Sequence, residues 1–430
     1  MKIISLSINL LCTLLLVSCG GHIEDKALEN KKTSLEQQTN SDSDQDSLWF
    51  WKTPNVNYVL EDFPSGEERS IWDVPELQNA FIDTNPSDRN DGLVIGDMSV
   101  HSGDEDMIVK LAQEIADRQH GKVDSLLIAH EGKLLFESYY LQGRANATTP
   151  QASATKTYTA MALGRAIELG YLTMADLDKP IVSFLKDLDP TKFVEGTERL
   201  TLHQALTMRS GIRISDIKRE EFEKAPNQIQ GQGLIQTLLE QSQPISLESQ
   251  SSFSYGNYSS PLVMQVIDAV VPGTAEDFIK NELLGKMGIT VYGWQKGLGG
   301  LPAAGWRSSI SSRDMIKFGI VAMNEGKWNG EQLVSKAFIA KAISRIITVD
   351  DDVEVFGGGN DISKQGYGYF WWNADMKVGD RSYFSTSAQG GGGQFIILIE
   401  ELDLIVVATG HERYPSILQI TAERILPAFI

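Results

Sequence analysis

The chain has 430 residues, of which 42% are hydrophobic and 22% charged, an ordinary globular composition that excludes collagen-like, coiled-coil and wholly disordered chains. Acidic residues outnumber basic ones by 57 to 38, and the formal net charge is −19. The average surface therefore repels phosphate backbones, and we expect no nucleic acid partner.

The first residues predict an export signal. Lys2 precedes a mostly apolar stretch, residues 3–17, which is short for a membrane span, and small residues follow it. The run Leu16-Val17-Ser18-Cys19 resembles a bacterial lipobox. That resemblance implies cleavage before Cys19, lipidation of this cysteine, and attachment to the inner or outer membrane of a bacterial cell envelope. An ordinary signal cut near Gly20 or a short membrane anchor is the alternative.

Composition then divides the chain. Residues 1–18 are the predicted signal peptide, and residues 19–47 hold the lipidated cysteine and a polar tether with too few apolar side chains to offset the entropy of ordering. Residues 48–90 are expected to form an irregular extension packed on the main domain, which spans residues 91–430. Both cysteines lie in the first twenty residues, so we expect no disulfide within the mature chain.

Hydrophobic periodicity predicts the elements of the main domain in chain order. A helix over residues 106–118 is followed by two strands, 125–129 and 134–140, joined as a hairpin. Helices are predicted next, over residues 153–169, 202–208, 261–270, 275–284 and 313–324, the last capped by Ser312. The predicted elements that close the chain are strands 366–372, 394–400 and 404–409 and an amphipathic helix, 417–428.

Strands at both ends with helices between them predict an α/β fold of the α+β type. We expect an antiparallel sheet flanked by helices, with a helical subdomain inserted in the middle.

The predicted helix after residue 152 carries a serine and a lysine three residues apart, Ser153 and Lys156, which places both side chains on one face. The same Ser-x-x-Lys spacing recurs at Ser183 and at Ser215, so spacing alone carries little weight. This helix is apolar nearly all round, as buried helices are. Lys156 is then expected in the interior, with a lowered pKa or tertiary partners. The alternative is a solvated lysine on a surface patch of the helix.

Two polar or glycine-rich segments supply further candidate groups. Tyr255-Gly256-Asn257 offers a phenol for proton exchange with the serine and an amide for orientation, although Gly-Asn is also a turn dipeptide. Four glycines, residues 390–393, directly precede an apolar strand. A backbone N–H there could form half of an oxyanion hole, with the N–H of Ser153 as the other half; the alternative is a flexible turn.

The order of these three motifs resembles that of the serine beta-lactamase and penicillin-binding superfamily, in particular its class C-like esterases, D-aminopeptidases and nylon-oligomer hydrolases. Further segments add to the resemblance, among them Gly170-Tyr171-Leu172, Thr207-Met208-Arg209-Ser210-Gly211, Pro302-Ala303-Ala304-Gly305-Trp306 and Tyr367-Gly368-Tyr369.

The resemblance covers about residues 91–430 and implies a beta-lactamase/transpeptidase-like fold. By matching position it implies that Ser153 is the nucleophile and Lys156 its activator. It further implies that Tyr255 is the general base and acid, that Asn257 is an orienting group, and that Gly391 supplies the oxyanion N–H.

The third motif departs from the family pattern. Beta-lactamases and carboxypeptidases of this superfamily usually carry Lys-Thr-Gly or His-Thr-Gly there, and the basic residue helps to hold a substrate carboxylate. Glycine stands in its place here. The sequence therefore favours a serine hydrolase of small ester or amide substrates. A beta-lactamase or D-Ala-D-Ala carboxypeptidase, with Arg307 or Arg413 supplying the charge, is the alternative, as is a non-catalytic envelope protein that binds peptidoglycan fragments.

Other chemistries have little support in the sequence. Six scattered histidines form no metal-ligand spacing, so we expect neither a metal nor another cofactor. No Gly-x-Ser-x-Gly nucleophile elbow occurs. His203 lies among apolar residues and is interpreted as a core histidine, while His411 is left without a role. The sequence does not indicate an oligomeric state.

Overall fold

The computed structural model describes residues 74–101, 103–224, 229–349, 358–412 and 415–430. The predicted signal peptide, Cys19, the tether and the first part of the predicted extension, up to residue 73, lie outside the described residues, as does Arg413. Within the described ranges, no helix is long and apolar enough to cross a membrane.

A ten-stranded sheet forms the centre of the described chain, in the order β1-β4-β3-β15-β14-β13-β12-β11-β10, with β2 pairing beside β4. Its strands are β1 (Phe81–Asp83), β2 (Val94–Ile95), β3 (Val123–His130), β4 (Lys133–Tyr139), β10 (Ile347–Thr348), β11 (Ile362–Tyr367), β12 (Trp372–Val378), β13 (Arg381–Gly390), β14 (Gln394–Ile399) and β15 (Leu404–Gly410). Every pairing is antiparallel except that of β2 with β4. The N-terminal hairpin thus joins the C-terminal strands through β3 and β15, which confirms the predicted α+β class.

Short strands and helices fill the middle of the chain. A three-stranded sheet consists of β5 (Thr149–Pro150), β7 (Ser308–Ile310) and β6 (Gly293–Trp294), and β8 (Lys327–Trp328) pairs with β9 (Glu331–Gln332). The α-helices are α1 (Glu105–Ala116), α2 (Thr155–Glu168), α3 (Leu202–Leu206), α4 (Asp216–Glu223), α5 (Gln232–Gln241), α6 (Leu247–Ser251), α7 (Ser259–Val270), α8 (Ala275–Phe278), α9 (Ser312–Met323), α10 (Lys336–Ala342) and α11 (Ile417–Ile420).

The sheet has a hydrophobic core on each face. Alternation along β14 assigns Ile396 and Leu398 to the core shared with the central helices, and Phe395 and Ile397 to the core shared with α1 and the C-terminal helical turns. A sheet covered on both faces gives strands that are apolar throughout, as β14 and β15 are. This is why the sequence pattern located both strands within a residue or two.

Two sequence predictions at element boundaries are wrong. The strand predicted over residues 366–372 is a connection: β11 ends at Tyr367, β12 begins at Trp372, and between them Phe370 has φ +59°, outside the extended region. The aromatic residues of this segment, Tyr367, Tyr369, Phe370, Trp371 and Trp372, are buried in the core, and only their composition resembles that of a strand. The cap of α9 is Ser311 rather than Ser312, because the Ser311 hydroxyl accepts the N–H of Asp314.

A hairpin that the sequence pattern did not predict, β12 and β13, lies beside the glycine run. It was missed because six of the ten residues of β13 are serine, threonine, glutamine or arginine. Its seven register pairs run from Val378 with Arg381 to Trp372 with Ser387.

Candidate active site

Ser153 lies in a tight turn that leads into α2. Ala152 before it has φ +46°, in the left-handed region that residues with a Cβ seldom adopt, and the turn Ala152–Ala154 is a 3-10 helix. Gln151 fixes the turn from behind: its N–H donates to Ser308 O (2.8 Å), and its side-chain oxygen accepts the Tyr158 hydroxyl (2.6 Å). Ser153 is partly exposed while Ala152 and Ala154 are buried. Its side chain is thereby presented to solvent from a fixed backbone.

Lys156 is buried one turn along, at 1% exposure, which contradicts the alternative of a solvated lysine. Its Nζ donates to three oxygens: Ser153 Oγ at 3.1 Å, Asn257 Oδ1 at 2.9 Å and Gly305 O at 3.1 Å. Burial lowers the pKa of Lys156 to about 7, because no carboxylate is among these partners to offset desolvation. Near neutral pH a large share of the molecules therefore carries a neutral amine at this position.

Tyr255 lies beside Ser153 and Lys156. Burial raises the pKa of its phenol to about 12, and side-chain hydrogen bonds with Ser153 and with Trp372 act in the opposite direction. Nζ of Lys156 lies 5.0 Å from the centre of the phenol ring. Asn257 is exposed at the mouth of the site, and its amide oxygen reaches Lys156. The first two motifs predicted from sequence thus converge on Ser153.

The glycine run forms the turn between β13 and β14. A Cβ atom on Gly390 would lie 2.2 Å from Gln151 O, so only glycine lets this strand pack against the turn that carries the serine. Gly393 N–H donates to Gly390 O at 3.3 Å, so this carbonyl faces β14. Because the C=O of Gly390 and the N–H of Gly391 belong to one trans peptide and point in opposite directions, the N–H of Gly391 is expected to face away from β14, at the opposite edge of β13. That edge is open, since β12 pairs with β13 only as far as Ser387, and a Cβ on Gly391 would have no atom within 4 Å.

Sequence reasoning assigned no role to two groups at the site, the carbonyl of Gly305 and the indole of Trp372. Gly305 belongs to the segment Pro302-Ala303-Ala304-Gly305-Trp306, which contributes to the family resemblance without indicating a role for its carbonyl. Its run of small residues between a proline and a tryptophan was the available signal. Trp372 carried no signal, because it stands within a predicted strand that proved wrong.

The remaining sequence candidates have structural roles. Ser183 and Ser215, the serines of the other two Ser-x-x-Lys runs, are exposed, and Ser215 caps α4. The two ring nitrogens of His203 contact Tyr369 Oη at 2.8 Å and Arg209 Nη2 at 2.9 Å, so it is a satisfied histidine within the fold. His411 pairs with the buried Asp124 at 2.9 Å. Among the described residues, no group of three or more histidine, cysteine, aspartate or glutamate side chains is placed to hold a metal ion.

The fold is that of the beta-lactamase class of serine enzymes. It consists of a large antiparallel sheet with helices inserted between its N-terminal and C-terminal strands, and a serine at the start of one helix contacts a buried lysine. The chain belongs to the beta-lactamase family, because the family model described as "Beta-lactamase" matches residues 108–428. No match was found among curated proteins.

Solved structures of the same fold include several hydrolases and penicillin-binding proteins. A protein described as a 6-aminohexanoate-dimer hydrolase from Bacillus anthracis is 17% identical with a TM-score of 0.56, over 73% of this chain and 80% of the other. A penicillin-binding protein homologue from Pyrococcus abyssi, described as octameric, is 20% identical with a TM-score of 0.54, over 75% and 77%. A D-stereospecific amidohydrolase from Streptomyces is 14% identical with a TM-score of 0.51, over 73% and 97%. At these identities the likeness establishes the fold alone.

Proposed function

We propose that this protein is a serine hydrolase that cleaves small ester or amide substrates through an acyl-enzyme formed on Ser153. The observation that carries the proposal is the contact of Lys156 Nζ with Ser153 Oγ at 3.1 Å, in a setting where burial lowers the pKa of the lysine to about 7. A neutral amine in contact with a hydroxyl can accept its proton, which is what a serine nucleophile requires.

The proposed reaction uses each group at a stated atom. Neutral Lys156 accepts the Ser153 proton as Oγ attacks the substrate carbonyl carbon. The N–H groups of Ser153 and Gly391 bind the oxygen of the tetrahedral intermediate. Tyr255, with a pKa of about 12, is protonated at neutral pH and donates its proton to the leaving group, which leaves a phenolate and the Lys156 ammonium beside the acyl-enzyme. Water then attacks the acyl carbon and gives a proton to the phenolate, and the Lys156 ammonium returns its proton to Ser153 Oγ as the acid leaves.

Labelling with a fluorophosphonate probe tests the nucleophile. Wild-type protein should be labelled at Ser153, and Ser153→Ala should be unlabelled. Ser183→Ala is the matched control, because it removes the exposed serine of a second Ser-x-x-Lys run. Persistent labelling of Ser153→Ala, or absence of labelling in the wild type, would contradict the proposal.

We infer that neutral or cationic substrates are preferred over beta-lactams and D-Ala-D-Ala peptides. Glycine occupies the third-motif position where a cation would hold a substrate carboxylate, and the net charge of −19 adds no attraction for anions. Arg307, two residues after Gly305, stacks on Trp306 with 4.3 Å between the guanidinium carbon and the ring centre. Of the two arginines that could replace the missing third-motif cation, Arg307 and Arg413, Arg307 is the one that lies among the described residues.

Rates on one purified preparation decide between these substrates. The second-order rate constant for a short-chain aryl ester should exceed those for a chromogenic cephalosporin and a D-Ala-D-Ala peptide. A cephalosporin rate at least about 100-fold above the ester rate, a transition-state difference of about 2.7 kcal/mol, would overturn the ester or amide assignment. Loss of that cephalosporin rate in Arg307→Gln would then identify the missing carboxylate site.

We also propose that the protein is a lipoprotein of a bacterial cell envelope, on the strength of Leu16-Val17-Ser18-Cys19 after a short apolar stretch. Metabolic labelling with a fatty-acid analogue should modify the wild type and leave Cys19→Ala unmodified. Equal labelling of the two proteins would contradict it. A single acyl chain binds membranes only marginally, so the anchor needs more than one.

A further inference from the structure

The glycine run, residues 390–393, is held from outside by the residues that follow β15. The N–H of Glu412 donates to Gly392 O at 2.9 Å, and these two residues form an antiparallel bridge. Gly410 packs against the same carbonyl, since a Cβ atom on it would lie 3.1 Å from Gly392 O. Within the run, Gly392 and Gly393 have φ +93° and +106°. Because glycine has the widest backbone freedom of any residue, this turn depends on such external contacts for a fixed shape.

The segment that holds the glycine run is itself attached to β3 at a bulge. The register between β15 and β3 shifts between Thr409 and Gly410, and the extra residue of β3 at this shift is Asp124. Bulges of this kind re-aim a side chain and are common beside active sites. Here Oδ2 of Asp124 lies 2.9 Å from Nδ1 of His411. The first residue beyond β15 is thereby joined to β3 through its side chain.

His411 is held at both its backbone and its side chain. Its N–H donates to Lys122 O at 3.0 Å, and its side chain is 3% exposed, beside a fully buried Asp124 side chain. The other carboxylate oxygen of Asp124 accepts the N–H of Gln142 at 3.3 Å, so the carboxylate is fixed on two sides. Apolar side chains could fill this space, but a hydrogen bond between buried groups also fixes a distance and a direction. The pair therefore sets the path of the chain one residue before the N–H of Glu412.

We propose that His411, held by Asp124, is a positioning residue for the proposed oxyanion N–H of Gly391. It acts through the next residue, Glu412, whose N–H fixes the carbonyl of Gly392. The inference rests on the proposed function. An oxyanion donor must lie about 2.7–3.1 Å from the developing charge, so a displacement of the turn by about 1 Å is enough to lose much of its effect.

The first test removes the side-chain contact. His411→Leu keeps a side chain of comparable size and has no N–H to donate. We expect kcat on the aryl ester to fall about 10- to 100-fold with KM within about threefold, because a displaced oxyanion donor acts on the transition state. His130→Leu is the matched control, since His130 lies at the other end of β3 and its Nδ1 lies 3.2 Å from His101 O. The control should keep kcat within about threefold.

A double-mutant cycle tests whether His411 acts through Gly391. Gly391→Pro removes the N–H that the histidine is proposed to position. In that background His411→Leu should lower kcat by no more than about threefold further, because the positioned group is already gone. A merely structural role would give the same fold-loss in both backgrounds, and that result overturns the proposal. Wild-type kcat in Gly391→Pro overturns it as well.

A second pair of variants covers the case in which His411→Leu does not fold, since removal of one partner from a buried charged pair is strongly destabilising. Glu412→Pro removes the N–H that donates to Gly392 O and changes neither His411 nor Asp124. Glu412→Ala keeps this N–H and is the control. Loss of kcat in the proline variant alone supports the proposal, and equal kcat in the two folded variants overturns it.

The remaining outcomes separate the two proposals. Wild-type protein that neither turns over the ester nor labels at Ser153 refutes the proposed function, and the role of His411 with it. Active wild type with equal kcat in His411→Leu and His130→Leu refutes only the role of His411. A rise in KM at unchanged kcat also refutes it, because His411 would then affect substrate binding and not the oxyanion N–H.

Discussion

A Cβ atom on Gly305 would lie 3.3 Å from Nζ of Lys156 and 2.6 Å from Oγ of Ser260. The amine donates to the carbonyl of this same residue at 3.1 Å. Lys156 therefore uses the volume that a side chain at position 305 would fill. The absence of a side chain at position 305 thus helps to set the position of the Lys156 amine.

Gly305→Ala should weaken catalysis more than folding. The added methyl group must displace the Ser260 hydroxyl and the lysine amine, and a catalytic group misplaced by about 1 Å costs up to about 100-fold in rate. We expect kcat/KM for an aryl ester to fall about 10- to 100-fold. Gly358→Ala is the control, since a Cβ there has no neighbour within 4 Å. Unchanged kinetics in Gly305→Ala would show that Lys156 does not depend on this space.

Activity should rise as pH increases through about 7. Burial lowers the pKa of Lys156 to about 7, and only the neutral amine can accept the serine proton. The pH dependence of kcat/KM, measured between pH 5 and about 9, should show an apparent pKa near this value. A rate independent of pH across this range, with the fold intact, would remove Lys156 from the role of proton acceptor.

Lys156→Met should abolish turnover and stabilise the fold, most at low pH. The folded pKa of about 7 lies below the ordinary lysine pKa of 10.5, so between these values the unfolded chain binds more protons and wild-type stability rises with pH. Below pH 7 the wild type bears the full cost of a buried charge. Urea unfolding should give a gain for the variant that is about 3 kcal/mol larger at pH 6 than at pH 9.

The matched control for this stability measurement is Lys186→Met. Lys186 is the exposed lysine of another Ser-x-x-Lys run, and its replacement should leave the pH dependence of stability unchanged. An equal gain for Lys156→Met at both pH values would mean that the buried lysine does not titrate in this range.

Gly391→Pro and Gly391→Ala separate the backbone N–H from the side chain at this position. The space around Gly391 admits a methyl group, so the alanine variant should retain kcat within about threefold. Proline removes the N–H, and loss of one oxyanion donor costs about 100- to 1000-fold in kcat. Circular dichroism establishes that both variants fold. Equal rates for the two folded variants would exclude Gly391 from the oxyanion hole.

The pattern of apolar residues was enough to predict β14 and β15, the strands that are covered by a hydrophobic core on each face of the sheet. Residues 394–399 and 404–410 are apolar almost throughout, because each has hydrophobic side chains on both faces of the sheet. The hairpin of β12 and β13 escaped because its side chains hydrogen-bond within the fold, as Thr386 does with the carbonyl of Ile343 at 2.8 Å. Buried polar groups satisfied by distant partners have no signature in a single sequence.

The candidate site was predicted where its groups belong to sequence motifs and missed where they depend on local backbone conformation or packing. Ser153, Lys156, Tyr255, Asn257 and the N–H of Gly391 could be named in advance because the order of their motifs resembles that of a known family. The left-handed backbone conformation of Ala152 could not be predicted, because alanine seldom adopts a φ of +46°. The contact of Trp372 with Tyr255 joins positions more than a hundred residues apart and depends on the register of β12.

The pairing of β1 and β2 with the outer edge of β4 determines where a soluble fragment of this protein can begin. β1 pairs with β4 through Phe81–Asp83, and β2 does so through Val94–Ile95. Asp91, between the two strands, accepts a hydrogen bond from the buried Arg313 at 2.6 Å, and Arg313 also donates to Glu137 of β4 at 2.9 Å. A fragment cut at residue 108, where the family match starts, would expose the edge of β4 and leave Arg313 without one of its two carboxylates. Bare strand edges pair with each other, so such a fragment should self-associate on size-exclusion chromatography, whereas one that begins at residue 74 should not.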